Sequence, residues 1–340
     1  MTHVLCVRLD SEGDVLLAGP AIRAVAAAAD RVTLLCGPRG RQAAGLLPGV
    51  DDVRVWHAPW IDPEPDPVTR ESVDGLVAEL RALDPDRALV FGSFHQSPLP
   101  TALLLRLAGV PWIGATSTDY PGSLLDLRHR IDDDVHEVER GLALAAAAGF
   151  HLPAGDDGSL AVAHEPVRDG TPYVVVHPGA SVPARAWAPD RHAQVVTALA
   201  AAGRRVVVTG APSEVALTAR VAGPPRPGIT DLGGATTLGE LAGVLAGADA
   251  VVVGNTGPAH LAAAVGTPVV SLFALTVPPV RWRPWGVPHE LLCVPVPCAG
   301  CRARVCPVDG HPCVDDVGVE DVLAAVERLA PAALPAEVAA

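Results

Sequence analysis

Short apolar runs, many of them β-branched, alternate with stretches of helical periodicity along almost the whole chain. In the first half, His3–Leu9, Arg31–Cys36, Asp52–Trp56, Ala88–Phe91 and Pro111–Ala115 read as strands. Val15–Ala29, Val73–Leu83, Pro100–Ala108 and Val135–Ala148 space their apolar residues as one face of a helix does. The pattern lapses twice. Ser117–Asp134 is polar and aperiodic, and His151–Gly170, rich in Gly, Asp and Pro, reads as an interdomain linker. The alternation then restarts with strands at Tyr173–His177, Arg205–Thr209, Ala250–Val253 and Val269–Phe273. Helices are expected at Arg191–Ala202, Glu214–Val221, Leu238–Ala248 and, closing the chain, Val319–Leu329. Alternation of this kind marks a doubly wound parallel sheet. The expected fold is therefore α/β, with two Rossmann-like doubly wound lobes facing across a cleft. The first lobe is placed at 1–155, a linker at 156–170, the second lobe at 171–318 and a helix with tail at 319–340.

One stretch organises the second half. Ala250–Phe273 runs strand, tight turn, helix, strand, and Gly254-Asn255-Thr256-Gly257 supplies the turn. Pro258 suits a first helical position, where its missing N–H costs nothing, and Thr256 suits the N-cap. His260 falls about one turn into the helix. A glycine turn feeding a helix N-terminus is ready to hold an anion, because free N–H groups and the helix dipole point the same way. Most such connections bind nothing, but here Thr and His stand beside the glycines. The chain also has no lysine, and Asn255 is its sole asparagine, so an amide kept in this turn points to a specific task.

The bulk numbers narrow the function. With 340 residues, 49% of them hydrophobic and only 4% aromatic, the core must be built of Ala, Val and Leu. A net charge of −13 argues against nucleic acid as a partner. Any anion site must then be a local arrangement of arginines and backbone N–H groups. The opening MTHVLCVRLD enters a strand with no basic-then-apolar leader, and no run reaches the length of a membrane span. The expected location is the cytoplasm, with peripheral membrane contact left open.

Ligands of doubly wound sheets sit beyond the C-terminal ends of the strands, so the turns there hold the candidate chemistry. Asp14 follows the first strand at a helix N-terminus and fits either a first-turn carboxylate or a general base. After Tyr173–His177 come Gly179, Ser181, Arg185 and Trp187; Ser181 can donate to an oxygen, and Arg185 is a permanent cation with a fork suited to phosphate. An ordinary polar loop fits them as well. Glu214, after the next strand, is either a first-turn acid or an acceptor for a ribose diol. Trp282, Arg283 and Trp285 read as packing or as a stacking platform. His95, Arg128 and Arg130 are acceptor-side candidates and equally ordinary surface residues.

The segments Gly13–Ala21 (GDVLLAGPA), His177–Trp187 (HPGAS followed by Arg185 and Trp187), Gly210–Glu214 (GAPSE) and Gly254–His260 (GNTGPAH) together resemble glycosyltransferase family nine, the heptosyltransferase-like enzymes of GT-B fold. Their order and spacing carry the resemblance, which covers nearly the whole chain. It implies an inverting transfer of a heptose or related sugar from a nucleotide-diphospho-sugar, ADP-linked, to an acceptor hydroxyl. Asp14 would be the base, and Ser181, Arg185, Thr256 and Gly257 would hold the donor diphosphate beside Asn255 and His260. Glu214 would take the ribose, and Thr236 would line the base pocket. Members with known donors often carry Asp at the position of Asn255 and Lys at that of Arg185; here the acid's charge is lost and the cation changes shape. The acceptor would be a glycan, a lipid-linked sugar or a natural product, and catalysis would need no metal or cofactor. A sugar-nucleotide epimerase of the same fold and a non-catalytic sugar-nucleotide binder are the alternatives.

Five of the seven cysteines lie in 293–313, and Cys298, Cys301, Cys306 and Cys313 follow C-x2-C-x4-C-x6-C with His311 nearby. Cys-x-x-Cys in a chain without a leader favours a structural zinc over disulfides. The spacing is unlike a standard zinc finger, so disulfides, free thiols and another centre also remain readings.

Overall fold

The computed structural model describes residues 1–165 and 171–331, and the chain divides after Ala163 into two units, each with its own sheet and core. The first unit runs β1 (His3–Arg8), α1 (Glu12–Ala26), β2 (Arg31–Cys36), α2 (Arg41–Ala44), β3 (Asp52–Val55), α3 (Arg70–Leu83), β4 (Arg87–Val90), α4 (Leu99–Ala108), β5 (Trp112–Thr116), β6 (Leu127–His129) and α5 (Glu137–Ala147). The second runs β7 (Tyr173–His177), α6 (Pro189–Ala201), β8 (Arg205–Gly210), α7 (Val215–Ala222), β9 (Ile229–Gly233), α8 (Leu238–Ala246), β10 (Ala250–Gly254), α9 (Gly257–Ala264), β11 (Val269–Leu272), α10 (Pro279–Trp282), β12 (His289–Leu292), α11 (Pro312–Asp315) and α12 (Val319–Leu329).

Both sheets are parallel throughout and share one topology. The order is β3-β2-β1-β4-β5-β6 in the first and, read from the other edge, β9-β8-β7-β10-β11-β12 in the second. Each unit thus starts in the middle of its sheet, builds to one edge, returns past its first strand and builds to the other. The winding reverses between β1 and β4 and between β7 and β10, and the crevice such a reversal opens at the strands' C-terminal ends is where doubly wound sheets bind ligands.

The central strands are the ones their apolar runs announce. Every residue of β1, β7 and β10 is buried, as helices on both faces of a parallel sheet require. Burying one Val or Leu side chain is worth about 1.5–3 kcal/mol, so these strands anchor their units. The edges differ: β6, β9 and β12 are mostly half-exposed and carry polar residues. Their composition gives no apolar run, and β6 lies inside the stretch read as aperiodic. The closing helix α12 forms over its expected residues and buries Val322, Ala325 and Val326 in the core of the second unit.

Two expectations need correction. Helix α1 begins at Glu12, not Val15, because Ser11 takes the extended N-cap conformation and brings Glu12, Gly13 and Asp14 into the first turn. The expected linker starts too early as well. Residues 156–163 belong to the first unit: Arg23 grips both oxygens of Asp156 at 2.8 Å and donates to the Ser159 carbonyl at 2.7 Å. Leu160 and Val162 are buried, and Ala163 N donates to the Leu46 carbonyl at 2.8 Å. Residues 166–170 of that linker and 332–340 of the expected tail lie outside the described residues. Among the described residues no helix is long and apolar enough to cross a membrane.

Candidate active site

At the reversal of the first sheet the chain buries a cation among acids. Arg8 is the last residue of β1, and its side chain is only 4% exposed. Nη2 of Arg8 lies 3.0 Å from Asp14 Oδ1, 2.9 Å from Asp10 Oδ2 and 2.8 Å from Ser93 Oγ, and Nη1 lies 3.3 Å from Glu137 Oε2. These partners come from the turn after β1, the first turn of α1, the loop after β4 and the start of α5. Gln96 donates to Asp10 at 2.6 Å, and Ser11 Oγ donates to Asp14 Oδ2 at 2.8 Å.

The charges follow from burial. Loss of water pushes the Asp10 and Glu137 carboxyls above their ordinary range, and Arg8 pulls both back. Burial alone would lower the Arg8 guanidinium, but Asp10, Asp14 and Glu137 together raise it, so it stays charged. Side-chain exposure then separates the three acids: 1% for Glu137, 7% for Asp10 and 22% for Asp14. Asp14 is the member of the cluster that solvent reaches.

The second sheet arranges its turns differently. Arg185, Glu214, Thr236 and the Asn255–Gly257 turn follow β7, β8, β9 and β10, four strands adjacent in the sheet, so they share one edge. The turn after β10 packs on the one after β7. A Cβ on Gly254 would lie 3.1 Å from the Arg185 carbonyl oxygen, tighter than nearly all such contacts, so any larger residue would push the two backbones apart. A Cβ on Gly179 would fall on the Glu214 carboxylate, which lies over that glycine and accepts from Ala211 N at 2.8 Å. Asn255 is buried and uses both ends of its amide on Ala274, accepting from N at 3.1 Å and donating to O at 3.2 Å. Its task is to tie the turn after β10 to the one after β11. Thr256 is the N-cap of α9 but makes no capping bond with its side chain. His260 is buried one turn into α9, Thr236 is half-buried just before the N-cap of α8, and Ser181 is exposed.

Two further histidines lie beneath this edge. His177, the last residue of β7, contacts Thr209 Oγ1 at 3.0 Å, and His192 meets the Trp187 ring edge-on at 4.9 Å between centroids. Burial depresses His177 to about 4, and burial together with His177 depresses His192 to about 3. Both are neutral at neutral pH.

The cysteine segment braces the Arg185 turn. Ala184 N donates to the Arg304 carbonyl at 3.0 Å, and the Ala184 carbonyl lies 3.0 Å from His311 Nε2. Ala188 N donates to Asp315 Oδ1 at 3.0 Å, and Gly300 N and Arg302 N donate to the Leu275 and Thr276 carbonyls at 2.7 and 2.9 Å. All seven cysteines are free thiols. Among the described residues no three His, Cys, Asp or Glu side chains are grouped closely enough to hold a metal ion, so Cys298, Cys301, Cys306 and Cys313 share a segment without closing on a point.

The remaining candidates serve packing, bond backbone carbonyls or lie exposed. Trp282 packs on the core of the second unit, and Arg283 donates to the Val280 carbonyl at 3.0 Å, with Trp285 half-buried beyond them. Arg128 spends its guanidinium on the Ser117 and Thr118 carbonyls, while His95 and Arg130 are exposed. Sequence reasoning missed Arg8, Asp10, Ser93, Gln96 and Glu137. The available signal was a charged residue closing an otherwise apolar strand, immediately before an acidic turn.

With this geometry in hand, the family model for glycosyltransferase family 9 (heptosyltransferase) matches residues 76–311, well over half of the 340. The chain belongs to glycosyltransferase family 9. The matched span takes in Arg185, Glu214, Thr236 and Asn255–His260, whereas Asp14 precedes it. Lipopolysaccharide heptosyltransferase 3 of Escherichia coli is 37% identical over 119 residues, 34% of this chain and 35% of that protein. The match thus spans about a third of that relative's length. Two solved structures follow the fold almost from end to end. Escherichia coli heptosyltransferase WaaC with ADP-2-deoxy-2-fluoro heptose superimposes with a TM-score of 0.75 at 21% identity, covering 96% of this chain and 99% of that one. A family 9 glycosyl transferase from Veillonella parvula gives 0.75 at 16% identity, covering 96% and 97%. At such identities the two establish the fold, the paired parallel α/β units of the GT-B type expected from the sequence.

Proposed function

We propose that this family 9 member is an inverting glycosyltransferase that moves a heptose-type sugar from an ADP-linked donor to an acceptor hydroxyl, with Asp14 as general base. The observation that carries the reading is the exposure of Asp14. It is the solvent-accessible carboxylate of a buried charged cluster, at the sheet reversal where doubly wound folds bind ligands. The WaaC structure with an ADP-linked heptose analogue supports the choice of donor.

In this reading Asp14 takes the proton of the acceptor hydroxyl as its oxygen bonds to the anomeric carbon. The bond from that carbon to the diphosphate breaks on the opposite face, and its electron pair leaves with ADP. The charge growing on the leaving oxygen needs a positive potential built in beforehand. Arg185 and the N–H groups at Thr256–Gly257 supply it, so no metal ion has to. Glu214 accepts from the ribose hydroxyls, Thr236 lines the base pocket and His260 stands next to the diphosphate. Ser181 reaches the diphosphate from the turn after β7.

Asp14→Asn is expected to lower transfer by roughly 10²–10⁴-fold, the usual worth of a general base. ADP binding, followed by calorimetry, should stay within a factor of two. Turnover close to the parent's would remove Asp14 from the reaction.

A further inference from the structure

We infer that Arg8, anchored from behind by Glu137, is a positioning residue for this reaction: it fixes the plane of the Asp14 carboxylate and holds its negative charge. The inference rests on the reading of Asp14 as the base. A carboxylate at a helix N-terminus already gains from the dipole and needs no buried cation for stability. Here one is supplied at a considerable desolvation cost.

The contacts divide the work. Arg8 holds Asp14 Oδ1 at 3.0 Å and Ser11 Oγ holds Oδ2 at 2.8 Å, so the carboxylate is gripped at both oxygens and cannot turn freely. The guanidinium is itself fixed, with Glu137 3.3 Å from Nη1 and Ser93 2.8 Å from Nη2. A rigid fork can face Glu137 on one side and Asp14 on the other; an ammonium is a single point and cannot. The charged groups around Asp14 are Arg8 and Asp10 at the end of β1, Glu12 beside it in α1, facing Arg39, and Glu137 with Arg140 on α5. Arg8 is in direct contact with Asp14. Its charge faces Asp14 Oδ1 directly, and its shape aims the lone pairs.

The two roles come apart in substitutions. The full chain labelled with ¹³Cγ-aspartate reports the titration of Asp14, its resonance assigned by its absence in Asp14→Asn. Arg8→Gln is expected to raise the Asp14 midpoint by about one pH unit, since a contacting opposite charge shifts a carboxyl by about 1–3 units. Arg8→Lys should leave the midpoint in place yet slow the hydrolysis of ADP-heptose, in which water accepts the heptosyl group and Asp14 takes its proton as ADP leaves, about 10-fold or more, because geometry rather than charge is lost. Glu137→Gln, which keeps the cation and loosens its anchor, should slow hydrolysis likewise with ADP affinity unchanged. An unmoved midpoint in Arg8→Gln, or Arg8→Lys and Glu137→Gln both turning over at the parent's rate, would overturn the inference. If Arg8→Gln fails to fold, the Lys and Gln variants at Arg8 and Glu137 still decide it by rate. An active Asp14→Asn variant would instead sink the base itself, which separates the two failures.

Discussion

The two sheets wind identically, yet their working edges are made of opposite materials. The first buries an ion cluster, one guanidinium among three carboxylates, at its reversal. The second offers glycines, an amide tied to backbone and neutral histidines, with Arg185 as the cation at its edge. In the function proposed here one topology carries two tasks: holding a base where a proton must be taken, and holding open an edge where an anion can settle. Fold alone would not have told them apart; the side chains at the strand ends do.

Acid should separate the two units most widely. His177 and His192 are neutral and buried when folded, near 4 and 3, but titrate near 6.5 when unfolded. Between these limits the unfolded chain binds more protons, so stability falls as pH falls, by about 1.4 kcal/mol per unit for each histidine. The raised carboxyls of Asp10 and Glu137 act the other way, since the folded first unit takes protons more readily than the unfolded one. Below pH 6.5 the second unit is therefore expected to lose stability with falling pH more steeply than the first, as read by the Trp187 signal in a variant whose other five tryptophans are Phe, and His192→Gln should flatten the dependence. If the first unit shows the steeper loss, the comparison is wrong.

Next in size is the cation of the second edge. Arg185→Ala should weaken ADP binding by roughly 10–100-fold, the 1.5–3 kcal/mol of a charged hydrogen bond, without moving the Asp14 titration. Titrations by calorimetry and ¹³C shift check both halves, and unaltered ADP affinity would take Arg185 out of the cradle.

A smaller effect tests the glycine. Gly179→Ala puts a methyl group where the Glu214 carboxylate lies, so the acid must swing away, and ADP affinity should drop about fivefold, roughly 1 kcal/mol. In the background of Glu214→Ala the same exchange should cost nothing, a coupling that a double-mutant cycle reads directly. Additive losses would mean that Gly179 acts through something else.

The smallest effect concerns the cysteines, for which a structural zinc remains our proposal. Because the four thiols do not meet on a point in the structure, zinc has to draw the 298–313 segment together. Added zinc should then protect Cys298, Cys301, Cys306 and Cys313 from a thiol reagent and raise the Tm of the second unit by a few degrees, about 1 kcal/mol. Unprotected thiols in zinc-saturated protein would end the proposal.

What could be read beforehand follows the same division. The central strands were legible because burial on both faces forces an unbroken apolar run, as in the YVVVH of β7. Edge strands such as β12, HELL, are half-solvated and show no such run. At the second edge Arg185, Glu214 and the Gly254 turn each follow a strand end within a short glycine-bearing motif, so local spacing was enough to single them out as candidates. The first edge was not readable in this way. Arg8 and Glu137 are 129 positions apart, and they meet only because β4 returns to lie beside β1 and α5 caps the same end. No local pattern encodes that meeting.

The bracing of the Arg185 turn has a practical consequence for anyone who would rebuild this protein. The turn is pinned by Arg304, His311 and Asp315 from far down the chain and pressed against Gly254. A graft of residues 178–188 into a related scaffold would arrive without its props. The turn's conformation is better transplanted as a set of three pieces, the turn, the glycine loop and the late cysteine-bearing segment, than as any one of them.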